Sequence, residues 1–233
     1  MNQQRTVIKE DAETSTNKCL ELTPKGSGNW FKVMELKVLL YLHNGQYDQA
    51  FSIYHEVMAQ SRFDSIREVD QETWKIYEAY LHWLGSLGKI SEKLLTKGHV
   101  KKFRLSRFMN EIPQFSKDKR GMNIPVLILH FLFLIKEKRE DEAIDRIEAI
   151  MKYHQRHIKK DDENFRTNCF LKMLESIVKA NFDEEKTKTK TIANKYIEQL
   201  KSKPINLFNQ AREIEVIPYE KLWEITLECL YKK

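Results

Sequence analysis

Apolar residues recur at helical spacing on both sides of Gly45, and this pattern constrains the fold more than any other feature of the chain. Before the glycine, NWFKVMELKVLLYLH places apolar side chains three and four positions apart, at Phe31, Met34, Val38 and Tyr41. After it, YDQAFSIYHEVM repeats the spacing at Tyr47, Ala50, Phe51, Tyr54 and Met58. Because glycine tolerates the left-handed conformation that ends a helix, Gly45 predicts a turn between antiparallel helices. Ala50 would let them approach closely, and Tyr47 and Tyr54 would fill the gaps.

The same unit recurs along the chain at irregular intervals. Gly88 stands in the position of Gly45 within GKISEKLL. In KREDEAIDRIEAI, Lys138 takes that position and Ala143 stands where Ala50 does, while Phe182 in ANFDEEK takes the place of Tyr47. The predicted turns at positions 45, 88, 138 and 180 are 43, 50 and 42 residues apart. Since one hairpin cannot bury its apolar face alone, we expect neighbouring hairpins to stack.

The segment around Gly45 resembles the junction between the two helices of a tetratricopeptide (TPR) repeat, where G-x-Y-x-x-A precedes an aromatic residue. A regular TPR array has a period of about 34 residues, so the wider spacing here favours TPR-like hairpins with stretched helices or loops. The order of NWF, WKIYEAYLHWL and FSKDKRGMNIP also resembles a group of bacterial all-helical proteins without an assigned activity, over residues 29–233. These features predict an all-α fold, a right-handed solenoid of antiparallel helical hairpins.

Composition and termini predict the domain organisation. Only 7 glycines and 5 prolines occur, which disfavours all-β folds rich in tight turns. Residues 1–28 are polar and without period, so we expect a flexible lead-in before one helical-repeat domain at 29–233. That domain starts directly on an apolar helix, which leaves open that it is the carboxyl-terminal part of a longer array.

Several features predict a cytoplasmic protein without membrane contact. The most apolar stretch, Gly121–Ile135, has 15 uncharged residues, fewer than the roughly 20 of a membrane span. The amino terminus lacks the apolar region of a signal peptide. The three cysteines, Cys19, Cys169 and Cys229, form no CxxC pair, which favours a reducing compartment.

No pattern in the chain is typical of catalysis, so we expect neither an enzyme nor a metal or cofactor. KGSGN lacks the context of a nucleotide-binding loop. His154 and His157 lie in basic surroundings, which favours surface residues over metal ligands. We expect Cys169 to be a buried structural thiol. We expect Glu142 and Arg146 to form an exposed ion pair at i, i+4 spacing.

An aromatic stripe and a basic segment are the two candidate interaction surfaces. The stripe follows a predicted cap at Asp70 and contains Trp74, Tyr77, Tyr80 and Trp83. Core packing is its simpler interpretation, and gripping a peptide in a concave groove is the alternative.

The basic segment has eight cations between positions 97 and 120: Lys97, Lys101, Lys102, Arg104, Arg107, Lys117, Lys119 and Arg120. Phe103, Phe108 and Phe115 are interleaved, a combination that could track a nucleic-acid backbone and stack bases. The same phenylalanines could equally form an apolar helix face with the cations on its wet side.

These patterns predict a non-enzymatic interaction module that holds a peptide or a partner helix in a concave groove. The alternative is a nucleic-acid-associated regulator that uses the basic segment 97–120. The net charge of +6 permits an acidic partner of either kind. The pattern of residues predicts no particular oligomeric state.

Overall fold

Every element in the described part of the chain is helical, which confirms the all-α prediction there. The computed structural model describes residues 2–96, 103–104, 107–108, 123–157, 164–183, 185, 191–203, 205 and 215–231. The chain divides into two compact units, Met1–Ile112 and Pro113–Lys233. The division falls inside the 29–233 span that was expected to form one domain.

The first unit is a series of helices in which each packs against the next. Its elements are α1 (Asn2–Leu22), α2 (Gly28–His43), α3 (Tyr47–Met58), a short 3-10 turn (Phe63–Ser65), α4 (Glu68–Ser86) and α5 (Glu92–Leu95). Helix α2 contacts α1 and α3, and α3 also contacts α4 and α5. The core lies between these helices and is rich in aromatic side chains, among them Phe31, Phe51 and Trp83.

The second unit consists of two helical pairs and a helix that joins them. Its elements are α6 (Asn123–Lys136), α7 (Glu140–His157), α8 (Phe165–Lys179), α9 (Thr191–Ser202) and α10 (Tyr219–Tyr231). Helix α6 packs against α7, α7 against α8 and α8 against α9, while α10 contacts α6, α8 and α9. Helix α6 is buried on most of its surface, in line with its apolar sequence.

The structure differs from the expected polar lead-in, because residues 2–22 form helix α1. Two polar contacts between described side chains join α1 to α2: the Tyr41 hydroxyl donates to Glu13 Oε1 at 2.8 Å, and Lys37 Nζ donates to Asn17 Oδ1 at 2.7 Å. A helix held by polar contacts leaves no apolar stripe in its sequence, so periodicity alone does not reveal it.

Four helices end in the same left-handed turn. The first residue with positive φ after each of these helices is Gly45 (71°), Gly88 (72°), Lys138 (58°) or Asn181 (52°). Three lie at the predicted turn positions and the fourth lies one residue later. Phe182, the expected counterpart of Tyr47, is itself left-handed, with φ of 56°.

The backbone hydrogen bonds of the four turns also match. The Gly45 amide donates to the Leu42 carbonyl at 3.2 Å, and the next amide, Gln46, donates to the Tyr41 carbonyl at 2.9 Å. The amides of residues 88 and 89, 138 and 139, and 181 and 182 repeat this pattern, at 2.9 to 3.1 Å. This arrangement is the Schellman motif, which satisfies the last carbonyls of a helix.

Small residues lie where helices are expected to approach. Ala50 and Ala143 are fully buried, and Tyr47 and Tyr54 are buried beside Ala50 on α3. The Ala50 amide donates to the carbonyl of Gln46, and the Ala143 amide donates to that of Arg139. The two hairpins thus begin their second helix in the same register relative to the turn.

Arg166 ties together three helices of the second unit. From α8, its Nε donates to Glu215 Oε1 at 2.6 Å and its Nη2 to Glu220 Oε2 at 2.7 Å. Its Nη1 donates to the carbonyls of Leu200 and Lys203, at 2.9 and 2.6 Å, near the end of α9. Burial raises the pKa of Glu215 even though the guanidinium opposes that shift. The buried charges are therefore stable only as a set.

We expect Gly45→Ala to lower the free energy of unfolding by about 1 kcal/mol, because an L-residue is strained in the left-handed region. Gly28→Ala is a matched control: at both positions an added Cβ would meet nothing within 4 Å, but only Gly45 has positive φ. Urea unfolding measures both. An equal loss in Gly28→Ala would show that backbone strain is not the cause.

We expect Arg166→Met to cost about 3–5 kcal/mol, because it leaves Glu215 buried without its cation. Unpaired, Glu215 would have a pKa raised further above its ordinary value. Stability is then present at low pH and lost as the pH rises through the raised pKa. Urea unfolding across pH should therefore show the deficit shrinking under acid conditions.

Arg139→Met is the control for this experiment, since Arg139 also binds two carboxylates, Glu137 and Glu142, but at the surface. Water screens such pairs, so the loss should be much smaller. A deficit in Arg166→Met that does not depend on pH would contradict the role assigned to Glu215.

Candidate functional site

An open cleft of about 530 Å³ lies in the first unit, between the first half of α2 and the connection from α3 to α4. Helix α2 and the residues before it form one wall. The other wall is formed by residues 62–67 and the first two turns of α4. All of its lining residues belong to the first unit, so the site is complete within it.

The first wall is built by Gly26, Ser27 and Gly28. The Ser27 amide donates to the Pro24 carbonyl at 3.0 Å, and Ser27 Oγ accepts from the Trp30 amide at 3.2 Å. Ser27 is thus the N-cap of α2. As a sequence, KGSGN lacks the context of a nucleotide-binding loop and does not reveal this wall through any glycine motif. The signal that could have found it is a serine placed just before an apolar helix.

The floor of the cleft is aromatic. Phe31 from α2 and Trp74 from α4 line it, together with Ile66 from the connection. The Phe31 ring meets Phe63 edge-on, with ring centroids 6.2 Å apart. Both Phe31 and Trp74 are almost completely buried, so packing holds their rings in place. The floor is a preformed apolar surface.

Asp70 joins the two walls by charge. Its Oδ2 accepts from Arg67 Nε at 2.7 Å, and its Oδ1 accepts from Lys32 Nζ at 2.9 Å. The same Lys32 Nζ donates to Glu35 Oε2 at 2.7 Å. Burial alone would raise the pKa of Asp70, but the hydrogen bonds and charges of Arg67 and Lys32 bring it below its ordinary value. Asp70 is therefore a carboxylate at neutral pH.

Three cations line the cleft. Lys32 and Arg67 form ion pairs, whereas Arg62 forms none with the described residues. It is exposed and stands beside Gly26, where an added Cβ would come within 3.9 Å of Arg62 Cδ. Of the charged lining residues, Lys32, Arg62 and Arg67 are basic and Glu35 and Asp70 are acidic, a net charge of +1. An apolar floor beside a free guanidinium suits a ligand with an apolar group and a carboxylate.

The aromatic stripe lies in the core rather than on a surface. Exposure is 1% for Trp74, 0% for Tyr77, 2% for Tyr80 and 0% for Trp83. The interpretation of these four as partner-binding residues therefore has to be corrected, because packing against α2 and α3 leaves them almost no accessible surface. Trp74 alone among them borders the cleft.

In the basic segment, the described phenylalanines face inward. Phe103 stacks on His82 with centroids 4.9 Å apart and planes 16° apart, and it lies 5.7 Å from the ring of Phe108, which is buried. Arg104 and Arg107 are exposed. This arrangement matches an apolar face with a wet basic side, and the engaged rings do not favour base stacking. The other six cations, Lys97, Lys101, Lys102, Lys117, Lys119 and Arg120, lie outside the described residues.

Three local predictions are wrong. Helix α4 begins at Glu68, and Asp70 lies inside its first turn rather than at the cap. Glu142 pairs with Arg139, three residues before it, and not with Arg146. His154 is buried and hydrogen-bonds Asn168 instead of lying on the surface. His154 and Asp70 have partners on other helices, Asn168 and Lys32, whereas Glu142 has a local partner three residues before it instead of four residues after it.

Neither the cysteines nor any grouping of metal-binding side chains among the described residues forms a second candidate site. Cys169 and Cys229 are buried, and burial raises the pKa of the Cys169 thiol. No helix among the described residues has the length and apolarity to cross a bilayer. Within the same residues, no three His, Cys, Asp or Glu side chains are grouped as a metal site would need.

No known protein family matches the chain, and neither the curated proteins nor the solved structures contain a match.

We expect Asp70→Asn to lower stability by about 1 kcal/mol at neutral pH, a modest loss because water screens the exposed ends of Lys32 and Arg67. Since the folded pKa of Asp70 is lowered, its contribution is present above the ordinary value of 3.8 and is lost as the pH falls through the lowered value. Urea unfolding of both proteins at several pH values measures the difference. The stability curves should converge in acid, and parallel curves would contradict the charge network.

Proposed function

We propose that this protein is a non-enzymatic interaction module that binds an acidic peptide segment of a partner protein in the cleft between α2 and α4. The observation that carries the proposal is the combination of a preformed aromatic floor with the exposed, unpaired Arg62 at its edge. Such sites are mostly apolar, with a few polar groups that fix orientation.

In the proposed complex, an apolar side chain of the peptide rests on the half-buried Ile66 and on the small exposed edge of Phe31, above the buried ring of Trp74. A carboxylate next to it pairs with Arg62, and the guanidinium fork gives that contact direction. Asp70 and Glu35 face the ligand as carboxylates that already have cationic partners. They repel a second acidic group placed deeper in the cleft, which sets the order of apolar and acidic residues along the peptide.

The proposed protein is cytoplasmic, and its fold is a right-handed, TPR-like stack of helical hairpins. Its support is the recurrence of one turn geometry at 45, 88, 138 and 181, combined with the pairing of α2 with α3 and α6 with α7. In this view the cleft takes the role of the concave groove of a helical-repeat module.

Selection of displayed random peptides of about a dozen residues on the full chain tests the proposal. We expect the enriched peptides to combine an apolar side chain with a neighbouring Asp or Glu. Fluorescence anisotropy of a labelled synthetic peptide then gives the affinity. Arg62→Glu should weaken binding by about tenfold, the equivalent of one lost charge contact.

Two further variants separate the cleft from general charge effects. Gly28→Phe places a ring in the open space beside Gly28, where a Cβ meets nothing within 4 Å, and should block the cleft without disturbing the fold. Lys93→Glu reverses an exposed cation on α5 and should leave binding unchanged. If no peptide is enriched, or if both cleft variants bind as the native chain does, the proposal fails.

A further inference from the structure

Five rings of the first unit form one cluster at the place where the basic segment meets α3 and α4. The Phe103 ring stacks on His82 of α4, with centroids 4.9 Å apart and planes 16° apart. Phe103 also lies 5.7 Å from the ring of the buried Phe108. From α3, the Phe51 ring meets His82 edge-on at 6.4 Å and His55 edge-on at 4.5 Å. Two histidines therefore contact the same phenylalanine, and one of them carries the docked ring of Phe103.

Both imidazoles lie in surroundings that suit a neutral ring. Among the described residues, the enclosed Nε2 of His55 has no hydrogen-bond partner. Because a protonated imidazole has a donor on each nitrogen, a charged His55 would hold an enclosed N–H without an acceptor. The His82 side chain is 14% exposed, and its Nε2 lies 4.0 Å from Glu78 Oε1, beyond hydrogen-bond distance. A charge on either ring would therefore be poorly solvated.

The charged groups near the cluster come from α3, α4, α5 and the basic segment. Glu78 on α4 is also close to the Tyr54 hydroxyl of α3, whose pKa is raised by burial and by this carboxylate. On α3, Asp48 and Glu56 already have partners. On α5, which packs against α3, and in the described part of the basic segment, the charged side chains are exposed: Glu92, Lys93, Arg104 and Arg107.

The balance of these effects favours neutral rings in the docked state. Burial, followed by the charge of His55, lowers the pKa of His82 to about 4, so the carboxylate of Glu78 is outweighed. Burial also lowers the pKa of His55. A histidine in water has a pKa of about 6.5. The stability that the neutral His82 gives to docking is therefore complete above about pH 6.5 and is lost as the pH falls towards the lowered value.

We propose that His82 and His55 form a clasp that holds Phe103 and Phe108 on α3 and α4 at neutral pH and releases them in acid. The proposal does not depend on peptide binding in the cleft. At neutral pH, the stacked ring of Phe103 covers one face of the His82 imidazole. An imidazolium needs water, and water reaches that face only when the Phe103 ring leaves. Release uncovers the Phe103 ring next to the exposed Arg104.

Hydrogen exchange of the full chain measures the release. The Phe108 amide donates to the Arg104 carbonyl at 3.0 Å, so it is protected while the rings are docked. After correction for the intrinsic exchange rate, its protection should fall by up to about thirtyfold between about pH 7.5 and about pH 5. This factor follows from the His82 pKa values of 6.5 in water and about 4 in the clasp. Ring-nitrogen NMR of the same sample should show His82 titrating below its ordinary pKa.

Three substitutions test the clasp. His82→Phe keeps a ring on which Phe103 can stack but takes up no proton, so most of the loss in acid should disappear, and adding His55→Phe should remove the rest. His82→Ala removes the stack and should lower the protection of the Phe108 amide at both pH values. His130→Gln is the matched control, because burial lowers the pKa of His130 to about 4 as well, but this histidine lies in the second unit.

The amide of the buried Leu84 on α4 separates release from unfolding of the whole unit, and it should keep its protection at both pH values. A parallel loss at Leu84 would overturn the proposal. So would protection of Phe108 that does not change with pH, an undiminished loss in acid in His82→Phe, or a response that disappears in His130→Gln.

Discussion

A left-handed turn follows each of the helices α2, α4, α6 and α8, and it sets the direction in which the chain leaves the helix. At each of these positions the amide of one residue and that of the next close the final turn of the helix, and the chain leaves in a set direction. In the α2–α3 and α6–α7 hairpins the following helix then begins in the same register, so Ala50 and Ala143 reach the interface where little room exists. The geometry of the cleft depends on this turn, because Phe31 on α2 and Trp74 on α4 come together only when α3 packs against both helices.

Helices and their turns could be predicted from the sequence because both are local. Gly45 and Gly88 indicate left-handed turns by residue type. The turn at Lys138 could be predicted only from its position relative to Ala143, which matches that of Gly45 relative to Ala50. Asn181 is the position where such a comparison is wrong by one residue, since neither Ala180 nor Asn181 carries a decisive signal. Helix α1 was not predicted because its sequence is largely polar and has no apolar period.

The cleft could not be predicted, because its charges come from parts of the chain that are distant in sequence. Lys32 and Asp70, which meet in the cleft, are 38 residues apart. Spacing rules within one helix instead favoured a cap at Asp70 and a pair between Glu142 and Arg146. In both cases a cation outside the expected pair, Arg67 or Arg139, takes the carboxylate. Both arginines lie three residues before the carboxylate, so residue type identified the charged groups but did not decide between neighbouring local partners.

The packing of α10 has a consequence for synthesis of the chain. Among the helices that the structure describes, α6 is the most apolar, with 10 of its 14 residues buried, and α10 packs against it together with α7. Because α10 leaves the ribosome long after α6, the apolar surface of α6 stays partly uncovered while the intervening segments are made. Exposed apolar surface of this kind attracts chaperones and promotes aggregation. Interruption of translation before α10 therefore yields a chain in which the described helices of the first unit are complete while part of the apolar surface of α6 stays uncovered.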